Sequence, residues 1–230
     1  MTLYETVFCR RSVRRYLPEP LDAQTLDAIL AYLRAIPQLP GQHAEFRLIG
    51  PEEMGMDQAP HYIVASCPPS NEAYANIGFV LEKADLYIQS IGLGSLWYGL
   101  RLPRKAQEND AIVMQLGKTK MPLRASDGDF DRLPLAKIAD ADNAVTRAAR
   151  LSPSAVNSQP WDIHFGDDAV VIRYKGRGLM RSTLEKKMNK VDVGIVTRFV
   201  AVALEHEGKT VGDITMRTQG RDFSVTAEYK

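Results

Sequence analysis

Two stretches of this chain repeat the same order of signals at one fixed separation, and that duplication limits the fold more than any other feature. Pro37 falls on Pro153 and Asn76 on Asp192 at an offset of 116 residues. At that offset Ala28, Arg34, Gly50, Gly78, Val80 and Gly92 coincide with Ala144, Arg150, Gly166, Gly194, Val196 and Gly208, and the overlay needs no gap. The identities are few. What repeats is a helix, a proline-containing turn, a strand and a long apolar helix closed by glycine. The two long apolar helices, Asn71 to Ile91 and Asp192 to Glu207, are expected to bury each other. The expected fold is therefore α+β, with two similar halves about a pseudo-twofold axis and apolar helices at its centre. The halves are placed at residues 1–117 and 135–230. Residues 118–134, with Pro122, Asp127-Gly128 and Pro134 and no periodicity, are expected to connect them within one compact unit.

Local patterns fill in the elements. Leu3, Val7 and Phe8 suggest a short amphipathic helix, and Asp22 is a suitable N-cap for a helix carrying Leu26, Ile29, Leu30 and Leu33. Phe46 to Ile49 and His61 to Ala65 read as strands, and Asp110 to Leu116 as another helix. In the second half, Asn143 to Leu151 reads as a helix, and Ile163 to Phe165 and Val170 to Tyr174 as strands. Ile214 to Thr218 and Phe223 to Tyr229 are expected to form a hairpin around Gln219-Gly220-Arg221-Asp222. The lysines of the basic stretch Arg177 to Lys190 read as a solvated surface.

Charge and rare residues narrow the function. The 29 Lys plus Arg nearly balance the 28 Asp plus Glu, so neither nucleic acid nor an anionic membrane is an expected partner. Two cysteines without CxxC spacing fit a reducing compartment. The start has no secretory pattern and no run approaches a membrane span of roughly 18 apolar residues, so a cytoplasmic protein is expected. The four histidines lack ligand spacing, and no metal site is expected.

Three stretches carry candidate chemistry. Arg10-Arg11-Ser12-Val13-Arg14-Arg15 sets four arginines in six residues around a serine; it reads either as forked donors for a phosphate or as a solvated basic face. Gly92-Leu93-Gly94-Ser95-Leu96-Trp97-Tyr98-Gly99-Leu100 follows a helix and has Trp97 where a third glycine belongs, which excludes a dinucleotide fingerprint. Gly99, without a Cβ, could let a ligand approach the backbone. Ser152-Pro153-Ser154-Ala155-Val156-Asn157-Ser158-Gln159-Pro160-Trp161 ends a helix at a proline and displays hydroxyl and amide groups. It suits a flat polar heterocycle, but by residue type alone it reads first as ordinary turn chemistry with Trp161 as a core anchor. The first half has no Ser or Asn at the matching places of Pro37 to His43, and the second half has no arginine cluster, so one complete site could form across the axis.

Together these stretches resemble the nitroreductase-like flavoproteins, which bind FMN at the interface of an α+β homodimer. The resemblance implies that Arg10, Arg11, Ser12 and Arg14, with Arg132 of Arg132-Leu133-Pro134, hold the FMN phosphate and ribityl chain. It implies that Pro153, Ser154, Ala155, Asn157 and Gln159 meet the polar edge of the ring. Trp97, Tyr98, Gly99 and Leu100 would line its N5 through main chain. No side chain is identified as a proton donor. The Pro-Ser turn normally follows soon after the arginines; here it lies in the second repeat, which implies a fused, single-chain dimer with one site kept and the other decayed. The implied activity is hydride transfer from NADH or NADPH through flavin to a small electron-poor acceptor such as a nitroaromatic, quinone or enone. The fusion makes a monomer the expected assembly. The alternatives are an FMN sensor or storage protein without turnover, and a structural protein carrying remnants of the site.

Overall fold

The computed structural model describes residues 1–99, 101–175 and 183–230. Helix α1 (Leu3–Val7) starts in a capping box: Thr2 Oγ1 accepts from the Glu5 N–H, and Glu5 Oε2 accepts from the Thr2 N–H. Helix α2 (Ala23–Ala35) is capped by Asp22, turns Ile29 and Leu33 inward, and stops before Pro37. Strand β1 (Glu45–Ile49), the short helix α3 (Pro51–Met54) and strand β2 (His61–Ser66) follow. Ser70 then caps the long helix α4 (Asn71–Ser90), and Gly92 at φ 83° turns the chain into β3 (Gly94–Tyr98).

Asp110–Gly117 forms strand β4 rather than the expected helix. All eight of its residues are buried, because β4 lies between β2 and β3 and is covered on both faces. A strand buried on both sides loses the alternation that marks a half-exposed one, so its apolar run resembles a buried helix.

The second half contains α5 (Ala144–Arg150), β5 (Trp161–Phe165), β6 (Ala169–Tyr174), α6 (Thr183–His206), β7 (Val211–Gln219) and β8 (Asp222–Tyr229). Each half builds one four-stranded antiparallel sheet, ordered β1-β2-β4-β3 and β5-β6-β8-β7. The two orders are the same pattern. Strand β5 lies 116 residues after β1, end to end, but β6 starts only 108 residues after β2. The gapless overlay therefore fails at this hairpin: residues 166–168 replace the longer first-half connection that holds α3. Lys190, expected on the surface, is buried with its ammonium over the Tyr174 ring; residues 177–182 of that stretch lie outside the described residues.

Helices α4 and α6 cross at the centre, and their contacts reproduce the duplication. A Cβ on Gly78 would strike the Val191 carbonyl; a Cβ on Gly194 would strike the Ala75 carbonyl. Gly78 and Gly194 are 116 apart, and so are Ala75 and Val191. Each contact is thus the image of the other, the reciprocity that a twofold axis imposes. The same offset relates two polar anchors. Asn76 Oδ1 accepts from the Leu39 N–H at 2.8 Å, and Asp192 Oδ1 accepts from the Ala155 N–H at 3.0 Å. Among the described residues no helix is long and apolar enough to cross a membrane.

Candidate functional site

The turn after α5 is strained. Val156, Asn157 and Gln159 have φ of 49°, 57° and 48°, left-handed values that cost on the order of 1–3 kcal/mol each for such side chains. Val156 is β-branched and 92% exposed, so no packing offsets its cost. Hydrogen bonds hold the rest. Ser154 Oγ accepts from the Gln159 N–H at 2.9 Å, and Asp192 anchors Ala155 from below. Burial pushes the Asp192 carboxyl up to about 8, against the opposing pull of the Ala155 N–H, so it is a neutral acceptor at pH 7.

Gln159, expected at the ligand, is held by the protein at both ends of its amide. It is 2% exposed; its Oε1 accepts from the Leu133 N–H at 2.8 Å and its Nε2 donates to the Asn157 carbonyl at 3.1 Å. Both ends of the amide are engaged, so Gln159 ties the turn to the segment carrying Arg132. The Ser154 hydroxyl accepts within the turn. Pro153 is buried, and Ala155 is held by its main chain.

Arg132 donates from Nη1 to Asn157 Oδ1 at 2.8 Å and from Nη2 to the Leu151 carbonyl at 3.1 Å. Asn157 Nδ2 in turn donates to the Asp131 carbonyl. The Arg132 Nε is buried and makes no hydrogen bond among the described residues. Arg124, which the sequence did not bring to notice, lies beside Arg132, and both guanidinium groups sit over the ring of Phe130, at 4.2 and 5.6 Å respectively. Arg124 also donates to the main-chain carbonyl of Arg10. This bond exists because the connecting segment runs along the N-terminus, where the Arg124 N–H meets the Cys9 carbonyl and Leu17 N–H meets that of Lys118.

Arg10 lies inside the protein. It is 1% exposed and donates from Nε to Asp85 Oδ2 at 2.8 Å, with Glu82 Oε1 at 3.7 Å. Its charge is met inside the protein by two carboxyls of α4, although its Nη2 lacks a partner among the described residues. Arg11 donates its N–H to Gln89 Oε1, and Ser12 pairs with Ser95 beside β3. Arg14 is exposed.

Strand β3 shares this polar base. Ser95 Oγ donates to Asp85, Gln89 Nε2 donates to Ser95 Oγ at 2.9 Å, and Trp97 Nε1 donates to Glu82 Oε2 at 2.8 Å. Burial, then Asp85, pushes the Glu82 carboxyl well up. Tyr98 is half-buried. A Cβ on Gly99 would come within 2.7 Å of Met188 Sδ, so the space that a side chain would take is filled by Met188 of α6, one turn before Asp192, rather than left for a ligand. Leu100 lies outside the described residues.

The structure therefore links the N-terminal arginines, β3, Arg132 and the strained turn through shared partners. Around them positive charge accumulates. Burial, and then Arg10 and its neighbours, lowers both Arg124 and Arg132 to about 10. Both remain protonated at neutral pH, and each makes the other costlier. An anion would relieve that cost.

No curated protein sequence matches the chain. A crystal structure described as a "putative nitroreductase" of Thermotoga maritima MSB8 is similar over 99% of this chain and 94% of that chain, at 18% identity and a TM-score of 0.74. A nitroreductase family protein of Clostridium difficile 630 aligns over 62% of this chain and 99% of that chain, at 19% identity and a TM-score of 0.52. At these identities the likeness is one of fold, and the first spans both halves. A family model described as "Putative TM nitroreductase" matches residues 2–203, and the chain belongs to that family, in its single-chain pseudo-dimer form.

Proposed function

We propose that this member of an oxidoreductase family is an FMN-dependent reductase that takes hydride from NADH or NADPH and passes it to a small electron-poor acceptor such as a nitroaromatic, quinone or enone. The observation that carries the reading is a set of half-buried guanidinium groups with unused N–H donors, set against a strained, amide-bearing turn. The donors fit a phosphate, and the turn fits a flat polar ring.

FMN, when bound, supplies the two-electron chemistry, and the protein supplies position and charge. Arg132, Arg14 and Ser12 offer donors to the phosphate end. Asn157, whose Nδ2 keeps one N–H beyond its bond to Asp131, would present a donor to the ring edge, on a turn whose strain is held by Gln159 and Asp192. The main chain of Trp97 to Gly99 closes the opposite side, with Trp97 fixed by Glu82. Asp192, being neutral at pH 7, adds no negative charge beneath a site that must hold an anion. The interface that a homodimer would create is supplied within one chain, so the working assembly is a monomer, and its setting is the cytoplasm.

The test is a visible spectrum and solution mass of the purified protein, before and after FMN addition, then with NADH or NADPH under anaerobic conditions. The expected result is one FMN per monomeric chain, bleached by the reductant and restored by a quinone. Failure to retain FMN at any concentration sinks the reading. Retention without bleaching replaces turnover by sensing or storage.

A further inference from the structure

Arg124 and Arg132 donate to no carboxylate among the described residues. Among the described residues neither forms a salt bridge, and every acceptor of their hydrogen bonds is a neutral oxygen: Arg10 O and Asp129 O for Arg124, and Asp131 O, Leu151 O and Asn157 Oδ1 for Arg132. Carbonyl acceptors orient a guanidinium without cancelling its charge. The nearby Asp129 carboxylate is turned away, accepting from the Ala125 and Ser126 N–H groups at 2.9 and 3.1 Å. Arg124 Nη2 has no acceptor among the described residues, and the Arg132 Nε is buried without one.

Arg10 is the opposite case. Its Nε faces Asp85, Glu82 stands behind, and Asp85 is itself fixed by Ser95 and Gln89. Arg10 thus serves as the internal counter-ion of a buried acid pair that would otherwise be unbalanced beneath β3.

We propose that the phosphate grip of this chain is the pair Arg124 and Arg132, held either side of Phe130 on the segment joining the two halves, and that Arg10 is a structural counter-ion of Asp85. The ligand class is a phosphate monoester, carried by the flavin of the reading above, on which this inference rests for the identity of the ester. The same segment that fuses the halves then supplies the anion site, so fusion and phosphate binding share one stretch of chain.

The test compares flavin-free wild type, R124Q, R124K and the charge-neutral double variant R10Q/D85N, each checked for native circular dichroism. Each is titrated with FMN, riboflavin and inorganic phosphate, and melted with and without phosphate. The expected result is that R124Q weakens FMN by about tenfold or more, the scale of one lost charged hydrogen bond. It should leave riboflavin binding unchanged and lose the phosphate-induced rise in melting temperature, which R124K partly restores. R10Q/D85N should retain all three. FMN bound equally by wild type and R124Q overturns the inference and leaves the flavin reading standing. So does an R10Q/D85N chain that folds but loses FMN as severely as R124Q. Conversely, a chain that binds no flavin but whose phosphate response disappears in R124Q sinks the flavin reading and upholds the grip.

Discussion

Replacing Gly78 or Gly194 with alanine sets two opposing effects against each other inside a helix. Alanine gains about 0.5–1 kcal/mol over glycine in a helix interior. The seam between α4 and α6 resists it. At Gly78 the new Cβ would lie 2.9 Å from the Val191 carbonyl carbon and 3.0 Å from the Ile195 nitrogen, with the Val191 oxygen closer still. At Gly194 it would lie 2.7 Å from the Ala75 carbonyl carbon and 2.9 Å from the Phe79 nitrogen. All of these are backbone atoms, so no side chain can rotate away and the helices must part. A gap of about 0.5–1 Å forfeits about a quarter to a half of each dispersion contact across the seam, and overpacking costs about 1–3 kcal/mol or more. The net expectation is a loss of about 2 kcal/mol for either variant, or about 4–8 °C in melting temperature at this chain length. Because the two contacts are images of one another, the single variants should lose similar amounts. The double variant should lose less than their sum, since either substitution opens the same seam. Urea unfolding followed by circular dichroism measures all three. A variant as stable as wild type, or two singles of widely different cost, would refute the reciprocal close approach.

Two other outcomes can be checked with the same instrument. Asp192 is protonated in the folded chain up to about pH 8 but ionises near 4 when unfolded, so its contribution to stability is present below pH 4 and is lost progressively as pH rises to 8. Asp192→Asn keeps the acceptor for Ala155, as Asn76 does for Leu39, and should flatten the stability profile across that window; an unchanged profile would show that Asp192 is not the titrating group. Val156→Asn should stabilise the flavin-free chain by about 1 kcal/mol, because Asn tolerates the left-handed backbone that a β-branched residue resists. A lower melting temperature for that variant would mean the strain is absent.

Much of the fold was legible because it is periodic. Asp22, read as an N-cap ahead of an apolar helical stripe, does cap α2, whereas Asn143, read as the first helical residue, is the cap of α5. Burial on both faces hid β4, since periodicity vanishes when every residue is inside. The shortened hairpin between β5 and β6 broke an overlay that holds at β1 and β5 and again along the α4–α6 seam, and β8 follows β4 by 112 residues rather than 116. At the site, the arginine stretch and the Pro-Ser turn were visible as residue types, but their partners were not. Glu82 and Asp85 look like ordinary charges on a long helix until β3 and Arg10 cover them. Arg124 has no periodicity and no motif around it; only the path of the connecting segment along residues 9–17 brings it beside Arg10.

The same duplication explains why those partners differ between halves. In a true homodimer, positions related by the twofold axis carry the same residue, so a charge placed near the seam is met by its own copy. Fusion removes that restriction. Glu82 and Arg198 are related by the offset of 116, yet one is a carboxyl and the other a guanidinium. Arg198 crosses the seam, donating from Nε to the Phe79 carbonyl at 2.9 Å with its guanidinium over the Phe79 ring, while Glu82 turns to Trp97 and Arg10. Burial lowers Arg198 to about 10, and Glu82 is among the charges that oppose that fall. Two arginines or two glutamates at these positions would each be buried without that compensation, at a cost of several kcal/mol. Asn76 and Asp192 repeat the pattern: an amide beneath the first-half turn, which has no Ser or Asn at the matching places, and a neutral carboxyl beneath the second-half turn, which has them. At these two pairs the divergence across the axis is one of charge and hydrogen-bonding role, which a site built from unlike halves would require.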